Sequence, residues 1–163
     1  MTMNSSHVIF SDDYFFTLAM KTLFSSNLLS GDHLIVDVES TSRLQVEQCL
    51  FQNKKVFAFI SNDFDYYALC HLGNVVFIDR RSEISEILSC LSLNHAHFNY
   101  RLKAKLSERE GDVLCCLQEG LDTREICERL GVNIKTIYAS RSRLIDKMQV
   151  GNRLYLYRNI VRQ

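Results

Sequence analysis

Four short runs rich in β-branched and aromatic residues, HVIF from His7, HLIVDV from His33, VFAFIS from Val56 and VVFID from Val75, alternate with stretches of helical periodicity, and no such run follows Leu93. Apolar runs without a polar alternate face belong to strands buried on both sides. Strands separated by helices pair in parallel, because a parallel crossover consumes about a dozen residues and a hairpin does not. The helical stretches are DYFFTLAMKTLF, TSRLQVEQCLF, DFDYYALCHL and SEISEILSCL, the last with apolar residues at Ile84, Ile87, Leu88 and Leu91. Residues 1–93 are therefore expected to form an α/β domain around a parallel sheet. In residues 94–105, NHAHFNYRLKAK, the alternation stops and the chain turns basic, which marks a linker. Residues 106–163 read as helix only.

Charge divides the chain at the same place. Residues 1–100 hold six Lys and Arg against eleven Asp and Glu, residues 101–163 hold thirteen against eight, and from Asn133 onward seven bases face Asp146 alone. A basic block on an otherwise acidic chain is the electrostatic footprint of a nucleic-acid-binding domain. With 163 residues at 47% hydrophobic there is enough apolar material for a buried core. No window approaches the roughly 18–20 apolar residues of a membrane span, and the start MTMNSSHVIF has no basic, then apolar, leader pattern. A soluble cytoplasmic protein is expected. The six cysteines lack CxxC spacing and read as reduced thiols, Cys116 facing a core, Cys115 facing out and Cys127 packing between helices. His95 and His97 have no third ligand at metal spacing, so neither a metal nor another cofactor is expected.

The helical segment carries its own punctuation. Ser107 with Glu110 forms an S-x-x-E capping box, followed by a stripe of Val113, Leu114 and Leu117 and a stop at Gly120. Asp122 can cap TREICERL, with Ile126 and Leu130 turned inward and Gly131 closing it. Asn133 caps a third helix only two residues later, the spacing of a tight helix-turn-helix. Gly151 and Asn152 mark the start of a fourth. At about 100° per residue, Ile137, Leu144 and Met148 of the third helix share one direction, with Ile134 at its flank. Lys135, Tyr138, Ala139 and Ser142 share the opposite one, flanked by Arg143. That second face carries a cation, hydroxyls and a methyl without bulky apolar obstruction, which suits a helix lying in a DNA major groove.

The stretch from Leu106 to Tyr157, with Leu106, Arg109, Glu110, Val113, Leu114, Gly120, Leu121, Glu125, Ile126, Leu130, Thr136, Lys147, Val150 and Arg153 at matching positions, resembles the LuxR/NarL-type helix-turn-helix of bacterial transcription regulators. The resemblance implies a four-helix domain whose third helix reads double-stranded DNA and whose fourth dimerises. It assigns Tyr138, Ala139 and Ser142 to base reading and Lys135, Thr136, Arg141 and Arg143 to phosphates or base edges. Leu154, Tyr157 and Val161 on the fourth helix would form the dimer contact. Ser140 stands where many members have His.

The first half resembles the receiver domain of two-component response regulators, with departures. Asp12 and Asp13 after the first strand resemble the metal-binding acidic pair, Asp37 the phosphoacceptor, and Ser61 the phosphate-sensing hydroxyl. Receiver chemistry places these carboxylates around Mg²⁺ and adds a Lys after the last strand. Here Asp79 stands where that Lys is expected, with Arg80 beside it, and the chain has no proline for a Lys-Pro turn. Between Asp13 and Asp37 there is room for only one helix and one strand, so one βα unit is missing. In the receiver order 2-1-3-4-5 the lost unit is the edge strand, and its loss makes HVIF the new edge.

These readings point to a DNA-binding transcription regulator rather than an enzyme, acting without phosphorylation, as a homodimer or as a heterodimer with a related regulator, with RNA polymerase a further compatible partner. A sigma-factor-like reading module shares the helix-turn-helix, but an α/β first half argues against it.

Overall fold

The structure is a computed structural model and describes residues 8–24, 33–41, 54–92 and 100–160. The chain divides into two compact units, one of Met1–Asn62 with Leu72–Arg101, the other of Asp63–His71 with Leu102–Gln163.

The first unit is built on β1 (Val8–Phe10), β2 (His33–Asp37), β3 (Lys55–Ile60) and β4 (Val75–Asp79), with helices α1 (Tyr14–Phe24) and α3 (Ile84–Ser92). The strands pair in the order β1-β2-β3-β4, every pair parallel, with Val8 opposite Leu34, Val36 opposite Ala58 and Ala58 opposite Phe77. All four apolar runs thus become strands, and among the described strands β1 lies at the edge of the sheet beside β2. Ile35, Phe57, Phe59, Val76 and Ile78 pack against Met20 of α1 and Ile87 and Leu91 of α3. Their strand neighbours Leu34, Val36, Val56, Ala58 and Ile60, which point to the other face, are equally buried. Burial on both faces is the reason these strands are written almost without polar residues. The helix expected over TSRLQVEQCLF lies outside the described residues, apart from Thr41.

The second unit contains α2 (Asp63–Leu69), α4 (Glu108–Gln118), α5 (Thr123–Leu130), α6 (Ile134–Met148) and α7 (Arg153–Ile160). Its core gathers Val113, Leu114, Cys116 and Leu117 of α4, Ile126 of α5, Ile137 and Leu144 of α6, and Leu156 and Ile160 of α7. Phe64 of α2 joins this core, and the Gln118 side-chain amide donates to the Phe64 carbonyl at 3.0 Å. Asp63 accepts the Lys103 and Ala104 amides, the latter at 2.6 Å, while the Tyr67 hydroxyl donates to Ala104 O and accepts from Leu106 N. A segment from the sheet-forming half of the sequence thereby lines the entry to α4. The expected thiol orientations hold: Cys116 is buried, Cys115 exposed, and Cys127 packs against the core.

Candidate functional site

Each helix around the third one starts and stops where its capping chemistry dictates. The Ser107 hydroxyl accepts the Glu110 amide and the Glu110 carboxylate accepts the Ser107 amide, a complete capping box on α4. Asp122 and Glu125 repeat it on α5. Gly131, at φ +62°, closes α5 in the left-handed region that an L side chain enters only with strain, and the Asn133 side chain then accepts the Thr136 amide to open α6. Only Gly131, Val132 and Asn133 separate the two helices. Lys147, near the end of α6, reaches back to the Glu110 carboxylate at 2.6 Å. That ammonium, with the Ser107 amide, holds the Glu110 carboxyl below its ordinary range.

The fold divides α6 into two faces. Ile137, Ser140, Arg141 and Leu144 are buried, whereas Lys135, Tyr138, Ala139, Ser142 and Arg143 are exposed. Among the described residues, the side chains of Lys135, Tyr138, Ser142 and Arg143 make no hydrogen bond or ion pair. Thr136 is half-buried and its hydroxyl is spent on the Asn133 cap at 3.0 Å. Arg141 departs from the sequence expectation. It is 4% exposed, donates to the Thr123 hydroxyl at 2.7 Å, and lies 5.8 Å from the Tyr157 ring centre. The residue ties α6 to α5 and α7 instead of facing outward. The helical period carries a signal of this: Arg141 lies about 110° from the centre of the exposed face but only about 60° from Leu144.

On α7, Leu154 is 79% exposed, and Tyr155, which the sequence did not single out, is exposed beside it. Tyr157 is half-buried, with Arg153 5.5 Å from its ring as well as Arg141. Val161 lies outside the described residues.

The second candidate site is the carboxyl edge of the sheet, where β2 ends at Asp37 and β1, β3 and β4 are followed by Ser11, Ser61 and Arg80. Asp37 is fully buried, and its Oδ2 accepts from the hydroxyls of Ser11 at 3.0 Å and Ser40 at 2.9 Å. The Arg80 guanidinium enters among the acids: Nη2 lies 2.5 Å from Asp13 Oδ2 and 3.2 Å from Asp37 Oδ2, and Nη1 3.1 Å from Glu39 Oε2. Asp13 Oδ1 caps α1 by accepting the Phe15 and Phe16 amides. The Phe16 amide foremost, with the Phe15 amide and Arg80, draws the Asp13 carboxyl below its ordinary range. Asp12 does not join Asp13 here; it is exposed and offers its backbone amide to Ser40. Ser61 donates to Glu39 at 2.8 Å. Asp79 accepts the Arg81 amide in a local turn, and it is Arg80, its neighbour, that enters the acidic cluster. Ser11, Glu39 and Ser40 carried no signal in sequence, because they join the cluster only when the ends of separate strands are brought to one edge.

Residues 104–160 match the family model described as "GerE: Bacterial regulatory proteins, luxR family". The transcriptional regulatory protein LiaR of Bacillus subtilis (strain 168) is 32% identical over 71 residues, which is 41% of this chain and 34% of that protein. The chain thus spans about a third of the length of the curated relative it matches. Among solved structures, one of two RcsB dimers bound to two parallel DNAs is 17% identical at a TM-score of 0.52, covering 96% of this chain and 98% of the other. A structure of RcsB from Salmonella enterica serovar Typhimurium bound to a promoter is 18% identical at a TM-score of 0.50, with coverage of 96% and 98%. At such identities the likeness is one of fold. Residues 104–160 thus resemble the luxR family of bacterial regulatory proteins, and the chain as a whole shares the fold of the RcsB structures.

Proposed function

We propose that this protein is a sequence-specific DNA-binding transcription regulator that works as a dimer in the cytoplasm and needs no phosphorylation. The observation that carries the reading is the exposed face of α6, where Lys135, Tyr138, Ala139, Ser142 and Arg143 stand together without internal partners among the described residues, on a helix whose other face is locked into a core. Tyr138, Ala139 and Ser142 read base edges; Lys135 and Arg143 meet phosphates, with Thr136 beside them at the helix start. Arg141 sets the angle of α6 instead of touching DNA. Residues 1–93 serve as the receiver-like domain, 94–105 as linker and 106–163 as reader, with α2 packed in as a support for α4. The family and fold are those of regulators, and no described helix is long and apolar enough to cross a membrane.

Dimerisation is supported by two apolar surfaces: Leu154 and Tyr155 on α7, with Tyr157 behind them and Val161 next in sequence, and Tyr14, Phe15 and Leu18 on α1 beside the β1 edge. Two copies related by a two-fold axis present their α6 helices to half-sites about one turn, roughly 10 bp, apart. The same surfaces suit a related regulator as the second subunit, and RNA polymerase is the expected downstream partner. Fluorescence anisotropy on selected operator DNA tests the reading. Binding by the wild type should fall with salt, and replacing Lys135 or Arg143 by Ala should reduce that salt slope by about one phosphate contact each. Unchanged operator affinity in a Lys135, Tyr138, Ser142 triple Ala variant of native circular dichroism would refute the assignment. Sedimentation alone and with candidate regulators separates homodimer from heterodimer.

A further inference from the structure

The receiver fold implies a divalent cation among the acids at the carboxyl edge of the sheet, and the side chains present do not fit one. Mg²⁺ requires near-octahedral oxygen ligands at about 2.0–2.1 Å. Here the oxygens that would face it, Asp13 Oδ2, Asp37 Oδ2 and Glu39 Oε2, all face the Arg80 guanidinium within 2.5 to 3.2 Å. Each acid is also committed elsewhere: Asp13 to the first amides of α1, Asp37 to the Ser11 and Ser40 hydroxyls, Glu39 to the Ser61 hydroxyl. Arg80 is itself held, its guanidinium carbon 5.7 Å from the Phe16 ring centre. Among the described residues no group of three His, Cys, Asp or Glu side chains is arranged to hold a metal.

We propose that Arg80 is a built-in substitute for the divalent cation, so that this edge is neutralised by the chain's own guanidinium and takes up neither a metal ion nor a phosphoryl group. The inference deepens the phosphorylation-independent reading above and rests on it. A guanidinium suits the role because its fork of N–H donors satisfies several carboxylates at once and stays charged at any physiological pH. An incoming ion would meet that fixed positive charge at Asp13 Oδ2, Asp37 Oδ2 and Glu39 Oε2, the oxygens turned toward Arg80. Asp37, fully buried and accepting three hydrogen bonds on one oxygen, offers no exposed carboxylate to a phosphodonor. Arg80 also ties together the ends of β1, β2 and β4, the junctions at which an α/β sheet ordinarily admits a ligand. The site has become a fixed brace.

The test uses the full chain, Mn²⁺ as the probe ion and acetyl phosphate as the phosphodonor. Wild type should show no Mn²⁺ uptake by electron paramagnetic resonance at millimolar ion, no change of melting temperature with the ion, and no labelling of Asp37. Arg80→Ala should melt lower and gain Mn²⁺ binding that raises its melting temperature, and a further Asp37→Asn change should abolish that binding. Arg80→Lys should retain part of the wild-type behaviour. Should Arg80→Ala not fold, the near-isosteric Arg80→Gln takes its place. Mn²⁺ uptake by wild type, or a folded Arg80→Ala or Arg80→Gln protein that ignores the ion, overturns the proposal. Labelling of Asp37 in wild type would defeat the phosphorylation-independent reading as well, whereas loss of operator binding alone would touch only the DNA-reading assignment.

Discussion

The sheet edge and the exposed face of α6 are both clusters of charged and hydroxyl side chains, and they are resolved in opposite ways. At the sheet edge Asp13, Asp37, Glu39, Ser11, Ser40, Ser61 and Arg80 use one another. On α6, Lys135, Tyr138, Ser142 and Arg143 use nothing in the described chain and keep their capacity for a partner. Burying a polar group unpaired is expensive, so an inward-facing cluster pairs most of its polar atoms internally, although Asp37 Oδ1 and Arg80 Nε stay buried without a hydrogen-bond partner, whereas an outward-facing one can stay unspent because water serves it until a ligand arrives. The lesson concerns Arg141 and Arg143. They lie two residues apart on one helix, yet Arg141 is spent on Thr123 and Tyr157 while Arg143 is exposed. Residue type alone does not say which arginine is left exposed.

The contrast breaks most visibly on α6. The triple replacement of Lys135, Tyr138 and Ser142 by Ala should abolish operator discrimination, each lost base contact being worth roughly 1–3 kcal/mol. Circular dichroism and melting temperature should stay native, since none of the three has an internal partner to lose.

Next in size is the Arg141 and Arg143 pair. Arg141→Ala should destabilise the second unit by about 1–3 kcal/mol, the cost of stripping a buried hydrogen-bonded group from its partners. Denaturant unfolding measures this. Arg143→Ala should leave unfolding unchanged and weaken binding to all DNA sequences alike. If both variants behaved identically in both assays, the division of α6 into a braced and a reading face would fail.

A smaller effect comes from the brace of α4. Ser107→Ala should cost about 1 kcal/mol through loss of the cap. Because the Glu110 carboxyl is held below its ordinary value of 4.5, chiefly by Lys147, its contribution is present above that pH and is lost as pH falls through the lowered folded value. Unfolding followed from pH 6 downward should show this decline in wild type and a flatter profile in Glu110→Gln. A Glu110→Gln profile as steep as wild type would place the acid sensitivity elsewhere.

The smallest expected change is at the sheet edge. On the phosphorylation-independent reading proposed above, Asp37→Asn should leave operator affinity and target expression at wild-type level. An altered affinity measured by anisotropy, or altered expression from the target promoter, would turn the brace back into a switch.

Much of the molecule is local in origin, and so is legible in the chain. Strand runs without polar residues demand burial on both faces, which made the parallel sheet readable before any coordinates. S-x-x-E at Ser107, D-x-x-E at Asp122, Gly131 and Asn133 satisfy their own helix ends within four residues, so the helix-turn-helix needed no long-range information. The helical period likewise placed Lys135, Tyr138, Ala139 and Ser142 on one face. What tertiary structure decided is every contact that joins distant segments. Arg141 turned inward because Thr123 and Tyr157 lie within its reach. Phe64 and Asp63, written in the sheet-forming half, support α4 because hydrophobic burial and hydrogen-bond satisfaction act between whatever surfaces the fold brings together. Arg80 was visible in sequence only as the neighbour of a missing lysine; that it sits among Asp13, Asp37 and Glu39, 67, 43 and 41 residues away, follows from parallel strands ending at one edge. Periodicity and capping act over a turn or two of chain and can be read along it, whereas an ion pair across such separations exists only once the sheet has set its partners side by side.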